Sequence, residues 1–428
     1  MEKKYEVIIA GAGAAGLMAA KILSEKKIPV CILEARDRIG GRIYTVTEPG
    51  FSKHIEAGAE FMHGRLPLTR SLSKKSGAKY YEIKGEMWQK KNGQLEKNKE
   101  FIEHSNLLFK KLNKLTVDVS ISDFLEKNFS GKKYEETRQS LQKLIEGYDA
   151  ADIKKASALA FKEEWESGDD EQYRIENGYG ILVDDLKNSC LQNDCEFYLS
   201  NIVSEIQWTS GQANVITSEK KYFSSKKVII TVPIKLIAEP TEASISYKPA
   251  LPEIINAAKE IGYGGVIKVV LEFSRAFWET EKVHNLLFVF SSEKIPTWWS
   301  QLPDKTPVLT GWLAGPKANE LSNETNETIL RHALHSLAAI FATDVEFLER
   351  LLKASFVHNW IADPFSKGAY SYKSLTTETS QKILLKPVSG TLFFAGEALS
   401  KEHFGTVEAA LHSGKEVAEK ILQMQNVK

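Results

Sequence analysis

Residues 5–34 read YEVIIAGAGAAGLMAAKILSEKKIPVCILE, and their order decides the fold. Tyr5 to Ala10 is a short apolar run rich in β-branched residues, which suits a buried parallel strand. Gly11-Ala12-Gly13-Ala14-Ala15-Gly16 comes next, then a segment with helical spacing of Leu17, Ala20 and Leu23. A second strand, Val30 to Leu33, ends on Glu34. A bare GxGxxG carries little weight. Set between strand and helix, with an acid 18 residues after its last glycine, it meets the demands of a dinucleotide site. Gly11 permits the tight turn, Gly13 lets backbone approach a pyrophosphate, and Gly16 lets the helix pack close to the strand. The helix start at Ala14 and Ala15 offers free N–H groups and a positive dipole end to phosphates. Glu34 is placed to accept from ribose hydroxyls. The fingerprint by itself leaves FAD and NAD both open.

Outward from there, Ala35-Arg36-Asp37-Arg38-Ile39-Gly40-Gly41-Arg42 follows the acid directly, with Thr45 after it. Two more glycines and two arginines suit further pyrophosphate contact. This segment resembles the ExxxRxGGR signature of the flavin amine oxidase superfamily, which includes monoamine, polyamine and L-amino-acid oxidases and flavin-dependent histone demethylases. The resemblance implies an α/β, two-domain FAD-dependent amine oxidase fold: a Rossmann-like FAD-binding domain with an inserted α+β substrate domain. Gly58-Ala59-Glu60-Phe61-Met62-His63-Gly64 also resembles a family element. In that reading Gly58, Ala59, Glu60 and Phe61 lie beside the flavin and His63 faces the substrate. Taken alone, a histidine is more often a hydrogen-bonded structural residue.

The resemblance divides the chain into an FAD-binding domain at 1–79, 177–256 and 362–428, and a substrate domain at 80–176 and 257–361. The stretch from Tyr80 to Glu176 is polar, lysine-rich and reads as helical, with runs at Glu100 to Leu115 and Tyr134 to Ile145. Its charge runs are solvated helix faces. Gly178-Tyr179-Gly180 marks a return to the first domain, followed by strands within Cys195 to Trp208, Val215 to Thr217 and Lys227 to Pro233. By resemblance, backbone at Val203 holds adenine and the turn around Val232 lies near the dinucleotide. Lys268 sits in the otherwise apolar strand Val266 to Phe273, where a lysine is costly unless paired or placed in a cavity. It matches the family lysine that holds a water against flavin N5. Trp278, Trp298, Trp299 and Trp312 line a cavity or pack a core, and the stripe Ile329, Leu330, Ala333, Leu334, Leu337 and Phe341 reads as a buried helix face.

Trp360-Ile361-Ala362-Asp363-Pro364-Phe365-Ser366-Lys367-Gly368-Ala369-Tyr370 resembles the family segment in which a tryptophan shortly precedes (D/E)P(Y/F)xxGxY. It implies Trp360 near the flavin and Tyr370 as one wall of the cage around a substrate amine. Ala369 stands where monoamine oxidases carry the cysteine that bonds the flavin, so FAD is expected to be non-covalent. Phe394-Ala395-Gly396-Glu397 matches the FAGE signature, with Glu397 on a ribityl hydroxyl. The helix opening at Thr406-Val407 points at the pyrimidine edge of the flavin, where a positive helix end favours the reduced anion. Thr406 replaces the second cage tyrosine of monoamine oxidases, a departure that looks more like animal polyamine oxidases and histone demethylases.

The 428-residue chain is long enough for two or three domains. Its 56 basic and 56 acidic residues balance, so no whole-chain field favours nucleic acid or an acidic membrane. Three cysteines, Cys31, Cys190 and Cys195, show neither metal-site nor disulfide spacing, and no metal is expected. The start lacks a signal-peptide pattern and no run of 18 apolar residues appears, so a cytoplasmic protein is the expectation. The expected activity is oxidation of an amine by hydride transfer from its α carbon to flavin N5. Imine and then aldehyde result, with dioxygen as acceptor and hydrogen peroxide as product. A homodimer is one assembly option. An L-amino-acid oxidase is the first alternative, although Glu60 stands where such enzymes commonly place a basic carboxylate anchor. A catalytically silent FAD-binding scaffold is the second.

Overall fold

The structure is a computed structural model that describes residues 4–98, 101–166 and 171–426. Two large sheets organise it. In the eight-stranded sheet, Glu196–Tyr198, Val30–Leu33, Lys4–Ala10 and Tyr222–Ile230 lie side by side in parallel. The far edge of Tyr222–Ile230 is shared: its first half pairs antiparallel with Gln212–Thr217, and its last three residues pair parallel with Leu392–Phe394. The sheet is covered on both faces, which is why its strands read as continuous apolar runs. Val7, Ile9, Val30 and Ile32 pack against helices Ala14–Glu25 and Gly180–Gln192, while Ile8, Ala10, Cys31 and Leu33 face the opposite core. All three cysteines are buried, and none is joined in a disulfide.

The seven-stranded sheet runs Leu352–Asn359, Val266–Phe273, Val308–Ala314, Thr297–Ser300, Leu286–Phe290, Glu86–Lys91 and Gln94–Lys97. Its strand Val266–Phe273 is buried at every position. Side chains alternate across a strand. Ile267, Val269, Leu271 and Phe273 pack under helix Asn326–Phe341, whose Ile329, Ala333, Leu334 and Leu337 form the expected stripe. Val266, Lys268 and Val270 therefore point the other way, where Val266 joins Trp360 and Ala369 and Val270 joins Ile55. This period of two delivers Lys268 to the junction with the first sheet's connecting segments. Among the described residues, no helix is long and apolar enough to cross a membrane.

The segment 80–176 departs from its helical reading. Helices Ser105–Leu112, Ile121–Asn128, Glu135–Tyr148 and Ala158–Glu166 are present, but Tyr80–Glu82, Glu86–Lys91 and Gln94–Lys97 are strands. Glu100, where one expected helical run begins, lies outside the described residues. Asn92 and Gly93 both have positive φ, 51° and 79°, which is the tight-turn geometry favoured by an Asn-Gly pair. The strands are held by distant partners, Leu286–Phe290 and Gln172–Ile175.

Candidate active site

The glycine turn and the second glycine pair meet at the C-terminal end of the parallel strands. Gly40 N donates to the Ala12 carbonyl at 2.8 Å, and Gly13 and Gly40 form a parallel bridge. Glu34 is buried, with Ala12 N on one carboxylate oxygen at 2.7 Å and Arg36 N on the other at 2.9 Å. Burial pushes its pKa up, and those two N–H groups oppose the rise. Thr231 donates toward the carbonyls of Ala10 and Gly11 at 2.9 and 3.0 Å, which fixes the turn before Val232 against the first glycine. A Cβ at Gly13 would touch nothing within 4 Å, and one at Gly41 would touch only Gly13 Cα at 3.4 Å. The turn thus leaves an open strip of bare backbone, the shape a pyrophosphate requires. Ala14 and Ala15 open the helix with no side chain capping it, so its first-turn N–H groups stay on that strip. Ala35 is half-buried beside them, and Val203 is buried in the sheet.

Arg36 makes a bidentate pair with Asp363, at 2.8 and 2.7 Å, and donates to Ser366 Oγ at 2.9 Å. Its charge is turned to Asp363, whose carboxyl is thereby held below the usual range against the opposing effect of burial. Arg42 Nη1 donates to the Ala369 carbonyl at 2.6 Å and to Glu397 at 2.9 Å. Its Nε and Nη2 have no acceptor among the described residues, which leaves donors for a ligand oxygen. Glu397 also accepts from Ser371 Oγ at 3.0 Å, and it directly follows Gly396 at the end of Leu392–Phe394. Residues from three distant parts of the sequence are thus drawn into one place. The donors and bare backbone present here fit a dinucleotide-sized cofactor.

Lys268, 1% exposed, is the central charged group. Its Nζ donates to the Gly58 carbonyl at 3.1 Å and to Glu60 Oε2 at 2.7 Å. Its third N–H has no acceptor among the described residues. Glu60 Oε1 in turn accepts from Arg174 at 2.8 Å and Trp299 Nε1 at 3.0 Å. The carboxylate of Glu60 is therefore committed to these three groups, and only its backbone is left for a cofactor. Gly58 packs so tightly that a Cβ would fall 2.0 Å from the Arg42 carbonyl, and Ala59 N donates to that carbonyl at 3.2 Å. Trp360, 3% exposed, closes this wall with Nε1 on the Ala57 carbonyl at 3.0 Å.

A chain of aromatic rings passes beside the lysine. Lys268 Nζ lies 5.4 Å from the Trp299 ring centre. From Trp299 the rings run in one direction through Phe61 to His63 and Tyr148, and in the other through Trp312 to Tyr370. Trp312 and Tyr370 are near parallel, 19° apart at 6.4 Å. Tyr370 OH donates to the Tyr148 carbonyl at 2.5 Å, and the Tyr148 hydroxyl sits 3.2 Å from His63 Nδ1. His63 has its pKa pushed down to about 4 by burial, so it is neutral at pH 7. Tyr370 is raised well above the usual phenol range, first by burial and then by Asp149, Tyr148 and Glu164. Asp149 and Glu164 are themselves raised by burial. Thr406 caps helix Val407–Asn426: its hydroxyl donates to the His403 carbonyl at 2.5 Å and accepts from Ala409 N at 3.2 Å. Of the four tryptophans, Trp278 and Trp298 pack in the core under the helix, whereas Trp299 and Trp312 face the lysine side.

Arg174, Tyr148 and Glu56 escaped the sequence reading, which left Trp299 and Trp312 between cavity wall and core. Glu56 is held by Thr45 Oγ1 at 2.8 Å and Tyr179 N at 2.7 Å through one oxygen, while its buried Oε2 has no partner. Gly178-Tyr179-Gly180 owes its composition to this contact, since a Cβ at Gly178 would fall 2.0 Å from Glu56 Oε1. Burial pushes the Glu56 pKa from 4.5 up to about 7, against the lowering effects of Thr45 and Lys268. The raised value means that folded protein holds this proton more tightly than unfolded chain. The stability so gained is full below about 4.5 and is lost as pH rises through about 7. Glu56→Gln mimics the protonated acid. It is expected to raise the thermal midpoint over the parent at pH 8.5 and to change it little at pH 5. An increment identical at both pH values in paired melts would rule out this assignment.

A parallel sheet ending in a glycine turn, a second sheet carrying a buried lysine, and aromatic rings beside that lysine fit the oxidoreductases that hold a dinucleotide cofactor. The chain belongs to the family described as flavin containing amine oxidoreductase, which it matches over residues 14–422, so it is a flavin-dependent amine oxidase. It is 27% identical to polyamine oxidase 5 of Oryza sativa subsp. japonica, over 96% of this chain and 87% of that one. It is 28% identical to lysine-specific histone demethylase 1 homolog 3 of Arabidopsis thaliana over 99% of this chain, but spans only 30% of that protein's length. Among solved structures, putrescine oxidase bound to putrescine superposes with a TM-score of 0.79 at 21% identity, covering 98% of this chain and 99% of that one. Cyclohexylamine oxidase from Brevibacterium oxydans superposes with a TM-score of 0.81 at 18% identity, over 99% of this chain and all of that one. At these identities the structures speak for the fold.

Proposed function

We propose that this protein binds FAD non-covalently and oxidises an alkyl amine at the carbon next to nitrogen, with dioxygen as electron acceptor. The observation that carries this reading is the buried Lys268, with two N–H groups held and the third without an acceptor among the described residues, beside the wall of Trp299, Trp312 and Tyr370. Gly11, Gly13, Gly16, Glu34, Gly41, Arg42, Gly396 and Glu397 would hold the cofactor. Ala369, 8% exposed, offers no sulfur for a covalent link. When bound, the flavin supplies a two-electron acceptor that takes a hydride from the substrate and yields hydrogen peroxide with dioxygen.

An alkyl amine is a cation at neutral pH, with a pKa of about 10.4 by analogy with lysine. The reaction needs its lone pair. A desolvated aromatic site favours the neutral form, because burial penalises charge. His63, neutral at pH 7, adds no repulsion to an entering ammonium. Tyr370 and Trp312 present ring faces that orient the amine and exclude water. Lys268 keeps one N–H for a water molecule at the reacting edge. After oxidation, water adds to the iminium carbon, the C–N bond breaks, and an aldehyde and an amine leave.

The names of the relatives point the same way: polyamine, putrescine and cyclohexylamine are all amines. An amino-acid oxidase fits less well. A substrate carboxylate needs a cationic partner, and Lys268 and Arg174 are both committed to Glu60. The test is an anaerobic screen of the yellow protein against monoamines, diamines, polyamines, their acetylated forms and L-amino acids. Bleaching of the flavin band by an amine class is expected. Bleaching by amino acids alone would overturn the reading, and no bleaching by any compound would favour a silent scaffold.

A further inference from the structure

Glu60 stands directly after the Gly58-Ala59 pair, in a segment expected to lie against the cofactor, yet its side chain turns inward. Each of its oxygens is engaged: Oε2 by Lys268 at 2.7 Å, Oε1 by Arg174 at 2.8 Å and by Trp299 Nε1 at 3.0 Å. The four residues come from different elements and all are buried, Lys268 at 1%, Trp299 at 5%, Arg174 at 6% and Glu60 at 7% exposure. Arg174 is anchored independently by the carbonyls of Leu302 at 2.9 Å and Ser300 at 3.3 Å. It stands opposite Phe61 in the pairing of Phe61–His63 with Gln172–Ile175. The carboxylate is therefore fixed from two sides before it meets the lysine.

Such a cluster is a poor way to gain stability. A buried ion pair often gives no advantage over well-packed apolar side chains of the same volume, because desolvation offsets attraction. The geometry has a different consequence. With Gly58 O and Glu60 taking two N–H groups of Lys268, the direction of the third is set.

We propose that Glu60 is the positioning residue of Lys268: with Arg174 and Trp299 fixing its carboxylate, it holds the ammonium in place and aims its remaining N–H. This rests on the reading that Lys268 acts in the flavin reaction. Glu60 itself touches neither amine nor cofactor through its side chain.

The test uses flavin-loaded enzyme and follows anaerobic reduction by the best amine and reoxidation by dioxygen separately. Glu60→Gln is expected to retain FAD and to slow the half-reaction that Lys268→Met slows by up to about 100-fold, the cost of misplacing a reacting group by about 1 Å, with the KM for the amine little changed. Glu60→Asp, which keeps the anion, is expected to recover part of that rate, a pattern that a purely structural role would not produce. If Glu60→Gln does not fold, the double variant with Arg174→Met removes the uncompensated guanidinium and is expected to show the same slowed half-reaction. Parent-like rates in both half-reactions of the variant that folds overturn the proposal. Loss of FAD with a normal rate in the loaded fraction also overturns it, by making Glu60 a cofactor residue. If Lys268→Met leaves both half-reactions unchanged, the lysine reading falls and this inference with it. If Lys268→Met slows a step that Glu60→Gln does not, only the inference falls.

Discussion

Gly16→Val is expected to yield protein without flavin colour and with a lowered thermal midpoint. A Cβ at Gly16 would stand 2.0 Å from the Gly11 carbonyl oxygen and 3.0 Å from Thr231 Oγ1. Backbone oxygen cannot be displaced without moving the strand end or the helix. The helix cannot retreat freely, because Ala15 lies against Gly414, where a Cβ would come within 2.2 Å of the Ala15 carbonyl. Overpacking a well-filled interface costs about 1–3 kcal/mol or more, and here the strain falls on the turn that holds the open strip beside Gly13. Gly13→Ala separates packing from binding. Its Cβ would meet no protein atom within 4 Å, so this variant is expected to fold normally and still bind FAD weakly. Flavin-to-protein absorbance ratios and thermal melts of the two variants check the argument. Full flavin content in Gly16→Val, or in Gly13→Ala, would remove the glycine strip as the dinucleotide floor.

The first strand, glycine turn and helix were legible because their determinants are local. A six-residue turn, the run before it and the acid after the next strand carry their own geometry, and the structure joins them within 40 residues through Ala12 N, Glu34 and Gly40 N. Lys268 was legible for a related reason, since a charge inside an apolar strand stands out against its neighbours. Its partners were not. Nothing in QYRI announces that Arg174 reaches Glu60, 114 positions away, because pairing between Phe61–His63 and Gln172–Ile175 is a tertiary fact. Arg42 and Glu397 were each expected on the cofactor; what the structure shows is the two holding one another across 355 positions. Thr406 shows a similar limit. Its place before a helix allowed a capping role from sequence, but the resemblance drew attention to the missing ring instead. The strands at 86–97 were obscured by lysine content, although Asn92-Gly93 carried a hairpin signal that outweighs composition.

Lys268→Met is expected to leave a folded, flavin-loaded protein whose slowed half-reaction falls on the order of 100-fold, the lower end of what a positioned proton-handling group contributes. Folding should survive for an electrostatic reason. The parent cluster holds two cations on one carboxylate, and removing Lys268 leaves Glu60 paired with Arg174 alone, a neutral pair that still has Trp299 Nε1. Methionine is of similar length and flexible enough to fill the space beside the Trp299 ring. One carboxylate oxygen and the Gly58 carbonyl then lack a donor, a loss of about 1–3 kcal/mol. That is small enough for the protein to be purified and measured. The rate, by contrast, is expected to depend on the N–H that none of the described residues accepts. If that donor holds water at the reacting edge, methionine removes the function outright, and neither more substrate nor more FAD will restore it. Rapid-mixing measurements of reduction and reoxidation locate the effect. A fall confined to reoxidation assigns Lys268 to the dioxygen step, and one confined to reduction assigns it to the amine. Parent-like rates in both would mean that the lysine is retained for the Glu60 cluster alone, and the chemistry would then have to be sought among Tyr370, His63 and the rings between them.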